Sequence, residues 1–459
     1  VNASVNVVGI DIAPANAMNW GVTSSSAQVT LSSVNVKDGG GLIKFAGVQL
    51  SSWNAVSYTS VTVAAAYGFY LPGSTMSVVS FSSAQVNGLS QYAVYMLGAS
   101  SNTFTHLRAH NTIGAAIFLD GAANYNAISL STVTTDRVDK YSLWMTNASS
   151  NSVSDSYLSN SAGSNVYLDL NANYNVISQS TMIASVAGYH ALLISQASNN
   201  TVFGSRMSNP LGYGASLVTN AHYNTIRLST MTSATATRYA LYINASDSNT
   251  VTGCYISNTA GDGAYLTIGA DYNMIIQSTM TGDVNTYAAL VINASDSNTV
   301  TGSLMTSQTG DGARFISGAD RNSIVLSTAI TAAASHYGLY LSASSTNSVT
   351  GSYLRGIGYG AFLDLNSNYN TIAQSTMSAN SGTYALGIVT SSANLITDSW
   401  VANVAGYGIR MESNAHRNTV QRTTMTCTGA GVGALYIVGS ASNTVTDSYM
   451  ENAGGAAAR

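Results

Sequence analysis

Apolar and polar positions follow one another along this chain in a pattern that returns every 24 or 25 residues over most of its length. Its fixed point is an asparagine, at Asn102, Asn126, Asn151, Asn175, Asn200, Asn224, Asn249, Asn273, Asn298, Asn322, Asn347, Asn370, Asn394, Asn418 and Asn443. Two residues after each of these fifteen stands Val, Ile or Phe, from Phe104 and Ile128 to Ile396 and Val445. Five after it comes serine, as at Ser131, Ser156, Ser180, Ser205, Ser229 and Ser278, with only Leu107, Cys254 and Thr423 departing. Seven after it an apolar residue returns, as at Leu158, Met182, Met207, Ile256 and Met305. A further stretch alternates apolar with other residues, as in Ala264-Tyr265-Leu266-Thr267-Ile268, behind a turn such as Ala260-Gly261-Asp262-Gly263. Period-two alternation bounded by Gly, Asn, Asp and Ser predicts strands, not helices.

A fixed period marks a solenoid, because one repeat cannot bury its own apolar face and must stack on the next. Coils of about 24 residues with two or three short strands and no helical period form a parallel β-helix. Like residues then lie over like at about 4.8 Å. The apolar and serine slots point inward, and the asparagines form a ladder whose amides bond up the stack. That ladder runs through Asn151, Asn175, Asn200, Asn224, Asn249, Asn273 and Asn298, beside Ser156, Ser180, Ser205, Ser229, Cys254 and Ser278. The Asn-x-Val/Ile-x-x-Ser-x-apolar register resembles the right-handed parallel β-helix repeats of the pectin-lyase-like superfold. That group holds polysaccharide lyases, glycosidases, phage tailspikes and large bacterial surface proteins, so the resemblance implies a fold without choosing a function.

The expected fold is therefore all-β, a single right-handed parallel β-helix of about 18 coils and on the order of 90 Å. Residues 1–76 read as irregular coils of the same solenoid, with slots such as Ala27 and Asn54, and 77–459 as the regular β-helix. Charged residues are 7% of the chain, against roughly 25% in an ordinary globular protein. With a net charge of −4 and no basic cluster, nucleic acid is not an expected partner. No apolar run is long enough to span a membrane, and no signal peptide is recognisable. Cys254 fills a serine slot as a buried structural thiol, and Cys427 lies about seven coils away, too far for a disulfide.

Outward chemistry alternates from coil to coil, so the true unit is about 49 residues. One aromatic row, six after the asparagine, is Tyr157, Tyr255, Tyr353, Trp400 and Tyr449, and threonines fill that slot in the coils between. A second, just before the asparagine, is Tyr125, Tyr174, Tyr223, Tyr272 and Tyr369; a third is Tyr141, Tyr189, Tyr239, Tyr287, Tyr337 and Tyr384. Such rows fit sugar stacking or a lateral protein interface, or else plain covering of the turns. The methionines of the slot seven after the asparagine read as core, since Leu, Ile, Val and Ala share it. The histidines are scattered. Neither a metal nor a cofactor is expected.

Clustered carboxylates would mark a polysaccharide-cleaving enzyme. The best set, Asp120, Asp169, Asp364 and Glu412, lies on a regular face without inserted loops, and active sites need unequal loops. Asp262 and Asp311 read as turn formers. Thr-x-Thr rows such as Thr250-Val251-Thr252 evoke ice binding, but Ile276 and Val325 interrupt them. Sequons stand at Asn2, Asn147, Asn199, Asn244 and Asn293, as repeat grammar or as glycan sites. The sequence thus favours a non-enzymatic, extracellular or cell-surface structural protein, adhesive or fibre-forming. Its expected partners are copies of itself, stacked head to tail because Val1-Asn2-Ala3-Ser4 resembles a coil end, or a surface polysaccharide. The alternative is a polysaccharide-binding or polysaccharide-cleaving β-helix.

Overall fold

A computed structural model describes residues 4–25, 28–284, 286–380 and 383–458. Three expectations fall on residues outside this set: the sequon at Asn2, the early slot at Ala27 and the Val1-Asn2-Ala3 start. The described residues hold strands and turns and no helix. They form a right-handed parallel β-solenoid of about 18 turns with three parallel sheets. The chain divides into two compact units, Val1–Thr230 and Met231–Arg459.

Within the first unit each coil carries three strands, and each strand pairs with its equivalent one coil later. The apolar slot stacks in the first sheet, where Val153 faces Ile177 and Ile177 faces Val202. The methionine slot stacks in the second, Leu158 on Met182 on Met207. In the third, Leu143, Val166, Leu192 and Ala215 follow one another. All of these are buried. Coils on either side of residue 76 pair the same way, Val56 with Val79 and Val79 with Phe104. The earliest third-sheet strands slip, with a register shift between Met18 and Trp20.

The second unit repeats the plan. Val251, Ile275, Val300 and Ile324 stack in the first sheet and are at most 1% exposed. Burying one such side chain stabilises by about 1.5–3 kcal/mol, and most coils contribute one in each sheet. Val445, in the last described coil, is half buried.

Each coil turns its corners through left-handed residues, one just before the asparagine and one four after it. Tyr174 (φ 59°) and Gln179 (φ 48°) bracket one first-sheet strand in this way. L-residues lose about 1–2 kcal/mol in that region, so the corners need support. The serine slot supplies it: Ser180 donates its hydroxyl to the Ser178 carbonyl at 2.7 Å, closing the corner over Gln179. Where the corner residue is Gly351, Leu326 of the preceding coil leans over it, so that a methyl there would meet Leu326 Cδ2 at 2.8 Å. Large and absent side chains thus fill one another's space at the corners of Gly204, Gly302 and Gly351.

Candidate functional site

The asparagines of the repeat from Asn102 to Asn418 are buried. The side-chain oxygen of most accepts the backbone N–H of the asparagine one coil before, and in Asn151, Asn175, Asn224, Asn273, Asn322 and Asn418 it accepts that residue's amide as well. In the first unit the Asn151 backbone N–H donates to Asn175 Oδ1 at 2.8 Å and its side-chain N–H at 3.1 Å. Asn175 donates to Asn200, and Asn200 to Asn224, through the same atoms or the backbone alone. In the second unit Asn249, Asn273, Asn298 and Asn322 continue the arrangement. The spare amide hydrogen goes to a carbonyl of the preceding coil, as from Asn273 to Ser246 at 3.0 Å. The serines form a parallel chain: the backbone N–H of Ser156 reaches Ser180 Oγ at 3.2 Å, and that of Ser180 reaches Ser205 Oγ at 3.2 Å. The Ser205 N–H reaches Ser229 Oγ in turn. Cys254 stands in the same place, its N–H on Ser278 Oγ and its thiol donating to the Thr252 carbonyl. These side chains hold the coils together and face no solvent.

A second buried asparagine was missed in the sequence. Asn160 donates to the carbonyls of Arg137, Lys140 and Ser164 and accepts from the N–H groups of Ala162 and Gly163. Asn111, Asn209, Asn258 and Asn403 sit in equivalent turns. The available signal was Asn-x-x-Gly, present on alternate coils except where Ser307 and Gly356 take the asparagine's place.

Two of the aromatic rows lie at the surface. Tyr125, Tyr174, Tyr223, Tyr272 and Tyr369 are 60–66% exposed and hold φ between 57° and 59°. Bulky residues are rare at positive φ. The other row, Tyr157, Tyr255, Tyr353, Trp400 and Tyr449, is 37–58% exposed. Within either row successive rings stand on alternate coils at the closest, about 9.6 Å apart, with smaller residues between most of them, so ring faces are left open.

The third row behaves differently, because it joins outward residues of the third sheet and the rings close on one another. In the first unit Tyr95, Phe118, Trp144 and Tyr141 form such a cluster, with centroids 4.3 to 5.7 Å apart. Tyr141 then meets Tyr167 at 4.7 Å. Burial pushes the Tyr141 hydroxyl up to about 12, with Asp169 adding to it, and Tyr167 donates to Asp169 Oδ1 at 2.8 Å. In the second unit Tyr337, Phe362, Tyr359, Tyr384 and Tyr407 form a strip. The Arg410 guanidinium sits among Tyr384, Tyr407 and Tyr436 at 4.9 to 5.5 Å and pairs with Glu412. Burial holds Tyr384 up at about 12, helped by Glu412, so this phenol is a donor at neutral pH.

The turn-former reading of Asp262 and Asp311 is corrected by their contacts. Both are buried, and each accepts an N–H from the next coil, Asp262 from Ala288 at 2.6 Å and Asp311 from Tyr337 at 2.9 Å. Asp311 also meets His336 Nδ1 at 3.1 Å and Arg314 Nε at 3.2 Å, so not all the histidines stand apart from acids. Burial pushes the Asp262 carboxyl up to about 6, against the pull of the Ala288 N–H and Arg314. Among the described residues no group of three or more His, Cys, Asp or Glu is placed to hold a metal ion, and no helix is long and apolar enough to cross a membrane. Of the sequons, Asn147 and Asn199 are exposed, whereas Asn244 and Asn293 engage their amide nitrogens with Tyr242 and Tyr265 hydroxyls.

A family model of the right-handed β-helix region matches residues 141–305 and 288–450, together more than half of the chain. Among curated proteins none matches in sequence. The solved structures to which the chain is similar include DFA-IIIase from Arthrobacter chlorophenolicus A6 in complex with GF2. That likeness has 12% identity and a TM-score of 0.39, covering 67% of this chain and 88% of that one. The Dettilon tailspike protein is 13% identical with a TM-score of 0.38, covering 70% and 59%. The mannuronan C-5 epimerase AlgE6 A-module of Azotobacter vinelandii is 10% identical with a TM-score of 0.25, covering 85% and 89%. Scores this low carry no argument about the chemistry of this chain. The expectation that the chain is not an enzyme is corrected: DFA-IIIase and the epimerase, to which it is similar, are enzymes.

Proposed function

Because the chain belongs to the right-handed β-helix family, whose coil stack is a frame that serves many activities, we propose that its function is carried on its surface, as a polysaccharide-binding β-helix protein. The observation that carries this is the corner row Tyr125, Tyr174 and Tyr223 in the first unit, three-fifths exposed on alternate coils. Each ring stands in a conformation that glycine or asparagine would adopt at less cost. Rigid amphipathic rings with open faces suit the apolar faces of sugars, and their hydroxyls suit sugar hydroxyls. A spacing of two coils matches an extended polymer better than a compact ligand. The reading puts the protein outside the cell or at a cell surface, where such polymers are met.

The test is affinity electrophoresis of the full chain in gels cast with neutral linear polysaccharides. Retardation should fall at least tenfold when Tyr125, Tyr174 and Tyr223 are all changed to Ser, given about 0.5–1.5 kcal/mol per ring. Unchanged retardation would overturn the reading, as would loss of sedimenting oligomers instead, which would make a second copy the occupant of the row.

Cleavage of the bound polymer is a second reading, favoured by one observation: Asp311 orients His336 through Nδ1 at the start of the ring strip. An imidazole so held is suited to proton transfer. Release of reducing ends or unsaturated products, lost on changing His336 to Gln, would support it.

A further inference from the structure

On the outer face of the third sheet in the first unit, phenols touch from coil to coil, and neither surface row uses them. Tyr141 and Tyr167 stand on consecutive coils with ring centroids 4.7 Å apart and planes 43° to each other. Both are partly exposed. By register Tyr167 lies between Trp144 on one side and Leu193 on the other. The strip leading to this pair is continuous: Tyr67 to Tyr95 at 5.1 Å, Tyr95 to Phe118 at 5.4 Å, Phe118 to Trp144 at 4.3 Å and Trp144 to Tyr141 at 5.7 Å.

What distinguishes the pair is where a proton can go. Removing an electron from a phenol makes its O–H strongly acidic, so the loss is easiest where a base already holds that hydrogen. Tyr167 donates to Asp169 Oδ1 at 2.8 Å. Trp144, the indole of the strip, has its Nε1 buried without a hydrogen-bond partner among the described residues. An indole radical there keeps its proton and takes an electron back from a neighbouring phenol. The second unit holds only a looser version, in which Tyr384 reaches Glu412 at 3.3 Å and its neighbours Tyr359 and Tyr407 stand off at 5.6 and 6.3 Å. Cys254 and Cys427 are free, so no disulfide ties coil to coil.

We propose that Tyr141 and Tyr167 are a modification site, joined into a dityrosine by hydrogen peroxide acting through a haem peroxidase. Each phenol loses one electron and one proton, Tyr167 handing its proton to Asp169 and Tyr141 to water. The two phenoxyl radicals form a carbon–carbon bond ortho to their hydroxyls, and the ring hydrogens at the joined carbons pass to the two oxygens. The two electrons and two protons reduce one peroxide to two waters. The product is a covalent staple between adjacent coils, and it restricts the unfolded chain as a disulfide would.

The full chain, treated with a haem peroxidase and hydrogen peroxide and then separated by size, provides the test. The monomer fraction should gain dityrosine fluorescence, and mass spectrometry after cleavage at Asp155 should find the Tyr141 and Tyr167 peptides joined and lighter by two hydrogens. Tyr141→Phe and Tyr167→Phe should each abolish that linked pair. Asp169→Asn, which keeps both rings and removes the base, should lower its yield several-fold, and Asp169→Glu should restore part of it. Circular dichroism before oxidation checks that each variant is folded. The oxidised parent should melt higher by about 2 °C or more, a gain that Tyr167→Phe lacks. Dityrosine found only between chains, links mapped only to other tyrosines, or an Asp169→Asn variant with the parental yield would each overturn the proposal.

Discussion

The side-chain oxygen of Asn273 accepts both N–H groups that Asn249 turns toward it, the backbone at 2.9 Å and the amide at 3.0 Å. Its own amide returns a hydrogen bond to Ser246. Changing Asn273 to Ala strands two buried donors and an acceptor, at about 1–3 kcal/mol each when unsatisfied. Urea unfolding should show a loss of about 3 kcal/mol or more, and a loss under 1 kcal/mol would mean that the coils re-pair without the ladder.

Asp262 makes the second unit less stable as pH rises. Its carboxyl is raised by burial from 3.8 to about 6, so the folded state prefers it protonated. The stabilisation is complete below pH 4 and is lost as pH climbs through 6, an effect of up to about 3 kcal/mol. Asp262→Asn, which keeps an acceptor for Ala288, should flatten Tm between pH 4 and 7 relative to the parent.

Asp398 acts in the opposite sense. Hydrogen bonds from Arg422, at 2.6 and 2.8 Å, and from Thr397 lower its carboxyl to about 2. Its contribution is present above pH 4 and disappears as pH falls through 2. The pair is solvent exposed, so high salt should weaken it; NMR titration of Asp398 in Arg422→Gln should move the midpoint back toward 3.8.

At the corner of Gly351, adding a methyl forces Leu326 aside. Gly351→Ala should destabilise by about 1–2 kcal/mol. In a Leu326→Gln background the penalty should shrink, since Gln277 leaves a full 3.5 Å over Gly302. A double-mutant cycle with no coupling would contradict this packing.

Cys254 is 3% exposed and should resist thiol reagents until the chain unfolds. Replacing it with Ser, the residue of the slot, should change stability by less than about 1 kcal/mol, whereas Val, which offers no donor to the Thr252 carbonyl, should cost more than Ser.

The first-sheet core was legible because stacking sets like over like: a slot that holds Val251, Val300 and Ile324 can only be interior. The corner tyrosines were equally visible as a row, although their left-handed backbone was not, since sequence favours Asn or Gly there. Asp311 and His336 could not be paired by reading. They lie 25 residues apart in turns of uneven length, and Gly-Asp-Gly reads as a turn by itself. The Asn160 type of turn escaped notice because only alternate coils carry it, and a search tuned to one coil averages it away. The stacking of Phe81 on His106 at 4.4 Å is announced by no spacing rule.

The pairing of Leu326 with Gly351, Gln277 with Gly302 and Gln179 with Gly204 also governs how such a gene can change. A recombination that inserts or removes two coils, about 49 residues, sets a large corner residue beside a glycine again and leaves each rung matched. One that moves a single coil between Gln179 and Gly351 breaks that alternation, which the later corners Gln374, Asp398, Arg422 and Asp447 do without. Length variation within the stretch from Gln179 to Gly351 should therefore favour even numbers of coils, with the alternation at the corner acting there as a proofreading rule on its own duplication.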